Sequence, residues 1–79
     1  MGLSNDIRII RQKCFMSQAD FAKELGVAFS TVNRWENDKG KPNLAAMKSI
    51  YEFCANHNID FSQLEEKWLR YGKEENGNG

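Results

Sequence analysis

Proline occurs once in this chain, at Pro42, histidine once, at His57, and cysteine only at Cys14 and Cys54. Two thiols without a C-x-x-C pair or a nearby histidine cannot build a disulfide scaffold or a zinc ribbon. Both fall on apolar stripes and read as small core residues in a reducing compartment, with a cytoplasmic setting expected. A lone histidine with no clustered carboxylate and nucleophile assembles neither a triad nor a metal site. At a helix end, His57 reads as a partner for the helix terminus. A Gly-rich phosphate cradle is missing as well. The expectation is a protein that is not an enzyme, with no cofactor and no metal. No apolar run approaches the ~18 residues of a membrane span, and residues 1–13 lack a signal-peptide core, so no membrane association is expected.

Net charge is absent too, 11 Lys and Arg balancing 11 Asp and Glu, but the balance is uneven along the chain. Residues 1–48 hold eight bases against five acids, and residues 49–79 hold three against six. A basic front and an acidic back suit a polyanion met at one end. With 79 residues, 41% of them hydrophobic and 28% charged, the chain has the composition of one small globular domain.

Strict period-two alternation is missing, whereas helical periods recur, which predicts an all-α domain of five helices over 1–72 with a disordered tail over 73–79. In the first helix Leu3, Ile7, Ile10 and Cys14 share a face behind Ser4 as N-cap. Ser17-Gln18-Ala19-Asp20 opens the second as a capping box, Phe21, Ala22 and Leu25 face inward, and Gly26 ends it. The third runs from about residue 28 to 38. Asn43 caps the fourth, whose predicted stripe is Leu44, Met47, Ile50, Tyr51 and Cys54. The fifth follows an Asp60-Phe61-Ser62-Gln63 cap, carries Phe61, Leu64, Trp68 and Tyr71 on one face, and is predicted to stop at Gly72.

The segment from Gln18 to Asn37 is the most informative. At about 100° per residue, Phe29, Asn33, Asn37, Ser30 and Arg34 spread over one side of the third helix, while Val32 and Trp35 fall opposite. One side is apolar and the other offers the groups that read a duplex: Arg for guanine O6 and N7, Asn for adenine N6 and N7, Ser for several edges. Phe29, exposed at the helix start, suits a thymine methyl. Ala22 lets the second and third helices cross closely, Gly26 supplies the reversal, and Phe21, Leu25, Val27, Val32 and Trp35 close the seam. The second helix offers its N-terminal N–H groups, with Gln18 beside them, to a phosphate. Alone, Arg34 would be a solubility charge; inside this seam it reads as a groove contact.

Ser17 to Glu36, followed by Asn37, Lys39, Gly40, Lys41 and Pro42, resembles the Cro/CI-type helix-turn-helix, or XRE, family over roughly residues 5–55. The resemblance implies a compact five-helix bundle of the lambda-repressor-like DNA-binding type. It further implies a third helix in the major groove and a homodimer, at least on DNA, bound to double-stranded DNA at a palindromic operator. Carried over, Phe29, Ser30, Asn33 and Arg34 match base-facing sites. Gln18, Thr31, Asn37, Lys39 and Lys41 match backbone contacts, and Arg11 and Glu36 match an internal ion pair. Ala28 departs from the Ser or Thr usual as N-cap of the third helix, a loss of about 1 kcal/mol. Phe15 departs from the Gly or polar residue usual at the end of the first.

A transcriptional regulator, acting as a repressor, is the leading function. Two readings stay open beside it: an antitoxin whose acidic back, Glu65, Glu66, Glu74 and Glu75, masks a toxin, and a protein-interaction module anchored on Phe29. Phe53, Leu69 and Tyr71, off or beside the main stripes of the fourth and fifth helices, are candidates for a dimer patch that would set two third helices about 34 Å apart.

Overall fold

Helix boundaries in this chain follow the cap chemistry. In the computed structural model, which describes residues 2–78 and the side chains of 2–70, the described residues form five α-helices and no strand. They are α1 (Leu3–Lys13), α2 (Gln18–Leu25), α3 (Phe29–Glu36), α4 (Leu44–Asn56) and α5 (Ser62–Asn78). The Ser17 side chain accepts the Asp20 N–H at the start of α2, and Asn43 accepts the Ala46 N–H at the start of α4. Gly26 ends α2 at φ 75°, where a left-handed residue is required. Ala28 precedes α3 without a side-chain cap bond.

Three boundaries differ from the sequence reading. The N-cap of α1 is Gly2, not Ser4; its φ of 74° turns the chain in early enough to put Leu3 and Ser4 in the buried face. Asp60 accepts from the Ser62 N–H and hydroxyl, an Asx turn ahead of α5 in place of the capping box. The backbone of α5 continues past Gly72, since one glycine costs a helix only about 1 kcal/mol. The side chains of Tyr71 and of 73–79, expected on a helix face and in a disordered tail, lie outside the described ones.

The core is a seam shared by α1 to α5. Ile7, Phe21, Val32, Ile50, Cys54 and Leu64 are each almost wholly buried, and Trp35 closes α3 against them. Ala22, also buried, lies where α2 crosses α3, so a larger side chain would lever the two apart. The stripe predicted for α4 is rotated. Leu44 and Tyr51 are exposed, whereas Ala46, Met47, Ile50, Phe53 and Cys54 are buried. The reason is Phe21 of α2, which meets the Phe53 ring edge-on at 5.2 Å and draws that side of α4 inward. Burial pushes the Cys54 thiol up to about 11, so it stays a neutral core group. Cys14 is half-buried, packed against the same core.

Two ties fix α5. Lys67 pairs with the nearly buried Asp6 of α1 at 2.9 Å, and the Trp68 indole N–H donates to the Pro42 carbonyl at 2.6 Å. The Lys41 ammonium lies 5.6 Å from the centre of the Trp68 ring.

Candidate nucleic-acid interface

Eight residues make α3, and their order sets two faces. Val32, Trp35 and Glu36 turn inward and are buried; Phe29, Ser30 and Arg34 are exposed, with Thr31 and Asn33 half-buried between them. Phe29 keeps 53% of its surface in solvent. One side of a short helix thus carries a ring, a hydroxyl, a carboxamide and a guanidinium in a row. The α3 helix ends at Asn37 because Asp38 takes φ 63°, and the chain then leads through exposed Lys39 to half-buried Lys41.

Behind that row, a continuous polar network holds α3 to α1 and α2. Glu36, its side chain wholly buried, accepts from Arg11 at 2.7 and 2.9 Å and from the Gln18 amide at 3.0 Å. Arg11 also donates to the Met16 carbonyl at 2.8 Å. Arg8 donates to the Glu36 carbonyl at 2.9 Å, with a longer contact of 3.5 Å to the carboxylate. The Asn33 amide donates to Gln18 Oε1 at 3.0 Å, and Asn37 donates to the Asn33 carbonyl at 2.8 Å and to Asn33 Oδ1 at 3.2 Å. Arg8 was not singled out from sequence, although it lies three residues before Arg11 on the same helical face.

Valence counting gives this network its chemical meaning. An amide side chain has two N–H groups and an oxygen with two lone pairs. Asn33 uses one N–H on Gln18 and one lone pair on Asn37, leaving one donor and one acceptor, the pair that adenine N7 and N6 require. Gln18 spends its oxygen and one N–H internally and retains the other N–H. Arg34 is held loosely: its Nη2 is 3.5 Å from the Lys39 carbonyl, and it lies where a side chain on Gly40 would press, 3.3 Å from the position of an added Cβ. A contact that long is readily exchanged for a better acceptor. Beside it, Thr31, Arg34, Lys41 and Asn43 line an open cleft of about 530 Å³ between α3 and the start of α4.

Burial alone would push the Glu36 carboxyl up, but hydrogen bonds from Arg11, Gln18 and Arg8, with the Arg11 charge, outweigh it and hold it below the usual range. A carboxylate held low in the fold stabilises the fold above its unfolded value of about 4.3, and that contribution is lost as pH falls through the folded value. Thermal unfolding is therefore expected to change little from pH 7 to about pH 5 and to come earlier below about pH 4. Glu36→Gln should flatten that slope; identical slopes in the two proteins would contradict the assignment.

Among the described residues, no group of His, Cys, Asp or Glu is placed to hold a metal ion, and no helix is long and apolar enough to cross a membrane. Of the dimer candidates, Phe53 is removed by its burial against Phe21, Leu69 is 55% exposed, and the Tyr71 side chain lies outside the described ones. In their place, Leu44, Met47, Tyr51, Phe61, Trp68 and Leu69 line an apolar groove of about 830 Å³ between α4 and α5, with Lys48 and Glu65 also in its lining. The exposed Leu44 and Tyr51 are the residues that sequence reasoning had placed in the core.

Residues 7–54 match a protein-family model described as Helix-turn-helix, a span running from within α1 into the last turn of α4. No curated protein and no solved structure matches the chain.

Proposed function

This chain belongs to the helix-turn-helix family of the Cro/CI type, whose domains bind DNA in transcriptional regulation, with an all-α, lambda-repressor-like fold. On that premise we propose that it binds one double-stranded DNA sequence with α3 in the major groove and represses transcription by occupying that site. The observation that carries the proposal is the row of Phe29, Ser30, Asn33 and Arg34 along the outward side of α3, with Val32, Trp35 and Glu36 anchoring the other side. In this reading Arg34 pairs with a guanine, Asn33 with an adenine, Ser30 with an adjoining edge, and Phe29 with a thymine methyl.

Phosphates would be met by Gln18 through its remaining N–H, by Thr31 and Asn37, and by Lys39 and Lys41. Lys39 reaches outward, while Lys41 sits over Trp68 beside the cleft at the start of α4. With no net charge on the chain, non-specific attraction is weak, and specificity rests on the groove contacts. Selection from random duplexes tests the reading: it is expected to enrich one short palindrome, and a pool that stays random would defeat it.

A palindrome needs two chains, and the groove between α4 and α5 is the surface assigned to their meeting. No residue of α3 lines it, so pairing there need not cover the reading helices. Its lining brings a basic residue of α4, Lys48, and an acidic residue of α5, Glu65, to one surface. In the proposed dimer a Lys48–acid contact between the chains would occur twice, once on each side of the two-fold axis. Leu69→Glu, at an exposed position, should leave folding intact and abolish cooperative occupancy, so that two chains no longer load together on the selected site. Unchanged cooperativity in that variant would move the dimer contact elsewhere.

A further inference from the structure

The side chain of Phe15 is 97% exposed, more than any other large hydrophobic one described, and its backbone is at φ 57°. The two facts compound each other. Left-handed backbone disfavours any residue with a Cβ, and a ring left in water forfeits burial. The turn itself does not need a ring: the Phe15 N–H donates to the Gln12 carbonyl and the Met16 N–H to that of Arg11, bonds that glycine or asparagine would make with less strain.

The position of the loop is nevertheless tightly held. Arg11 grips the Met16 carbonyl with one nitrogen and the Glu36 carboxylate with two others. Ser17 caps α2 two residues beyond Phe15, and Gln18 is bonded to both Glu36 and Asn33. Phe15 therefore stands in a loop fixed through the network that positions Asn33, three residues before Gln18. A duplex that meets Gln18 at the start of α2, as in the proposed complex, passes close to this loop.

Resting on the DNA-binding reading above, we propose that Phe15 is a second kind of DNA contact: its ring packs on the deoxyribose of the strand flanking α3. Deoxyribose is the apolar surface that every nucleotide offers, so the contact adds affinity without adding sequence preference.

The test compares Phe15→Gly and Phe15→Asn with the parent chain on the selected operator. Both residues accept left-handed backbone, so both variants should fold with a Tm close to that of the parent. Their dissociation constants should nonetheless rise severalfold, as the ring no longer covers apolar surface of the sugar. The selected sequence and the slope of log affinity against log salt should stay the same, because the ring carries no charge. Unchanged affinity in both variants, while Arg34→Ala still weakens binding, would overturn the role of Phe15 and leave the DNA-binding reading standing. A loss traced by sedimentation to failed chain pairing would also overturn it, by making Phe15 a protein contact. A parent chain that selects no DNA sequence would sink both.

Discussion

Replacing Glu36 with alanine is expected to destabilise the domain by about 3–5 kcal/mol, the cost of breaking a buried ion pair from one side. Its side chain is fully buried and accepts from Arg11 and Gln18, with Arg8 on its carbonyl. Alanine would leave the Arg11 guanidinium, only 14% exposed, without its carboxylate. A chain of 79 residues has about 4–12 kcal/mol of total stability at the usual 0.05–0.15 kcal/mol per residue. The loss is therefore a large share of the whole, and a fall in Tm of more than about 12 °C is expected. Urea unfolding of Glu36→Ala, Arg11→Met and the double variant separates the pair from the packing. The double variant should lose less than the sum of the two single variants, because the Arg11 charge is no longer left buried without its carboxylate. A single variant within 1 kcal/mol of the parent would show that the network does not hold α3 in place.

The same network explains which parts of the molecule were legible in the sequence. Caps and reversals were readable because they depend on single residues with special chemistry: Ser17, Gly26 and Asn43 act where their side chains or backbone freedom predict. The two faces of α3 were readable because an eight-residue amphipathic helix has one apolar side to bury. The orientation of α4 was not. Its apolar residues nearly encircle it, and which of them face inward depends on Phe21, more than twenty residues away in sequence. Leu44 and Tyr51 consequently exchanged places with Phe53, and the surface suited to a partner moved with them. Asn33 posed a similar problem: its place on the outer face follows from spacing, but its fixed amide orientation depends on Gln18 from another helix.

Arg34→Ala should weaken binding to the selected operator by about 1–3 kcal/mol, roughly fivefold to a hundredfold, and erase the preference at one base pair. The argument starts from how little holds Arg34 in the free protein. It is exposed, and its one described hydrogen bond, to the Lys39 carbonyl, spans 3.5 Å, so moving to a guanine gives up little. The helix behind it is anchored by Val32, Trp35 and Glu36, so the guanidinium swings from a fixed base. Lys39→Ala supplies the contrast. Lys39 is also exposed but lies in the loop, where it faces phosphate in the proposed complex; its loss should weaken all duplexes alike and lower the salt slope by about 1. Selection repeated with each variant separates the two roles. Arg34→Ala should yield the parent palindrome with one symmetric position randomised, and Lys39→Ala the parent palindrome unchanged. If Arg34→Ala selected the parent sequence in full, α3 would not be reading the groove through this residue, and the row from Phe29 to Arg34 would need another partner.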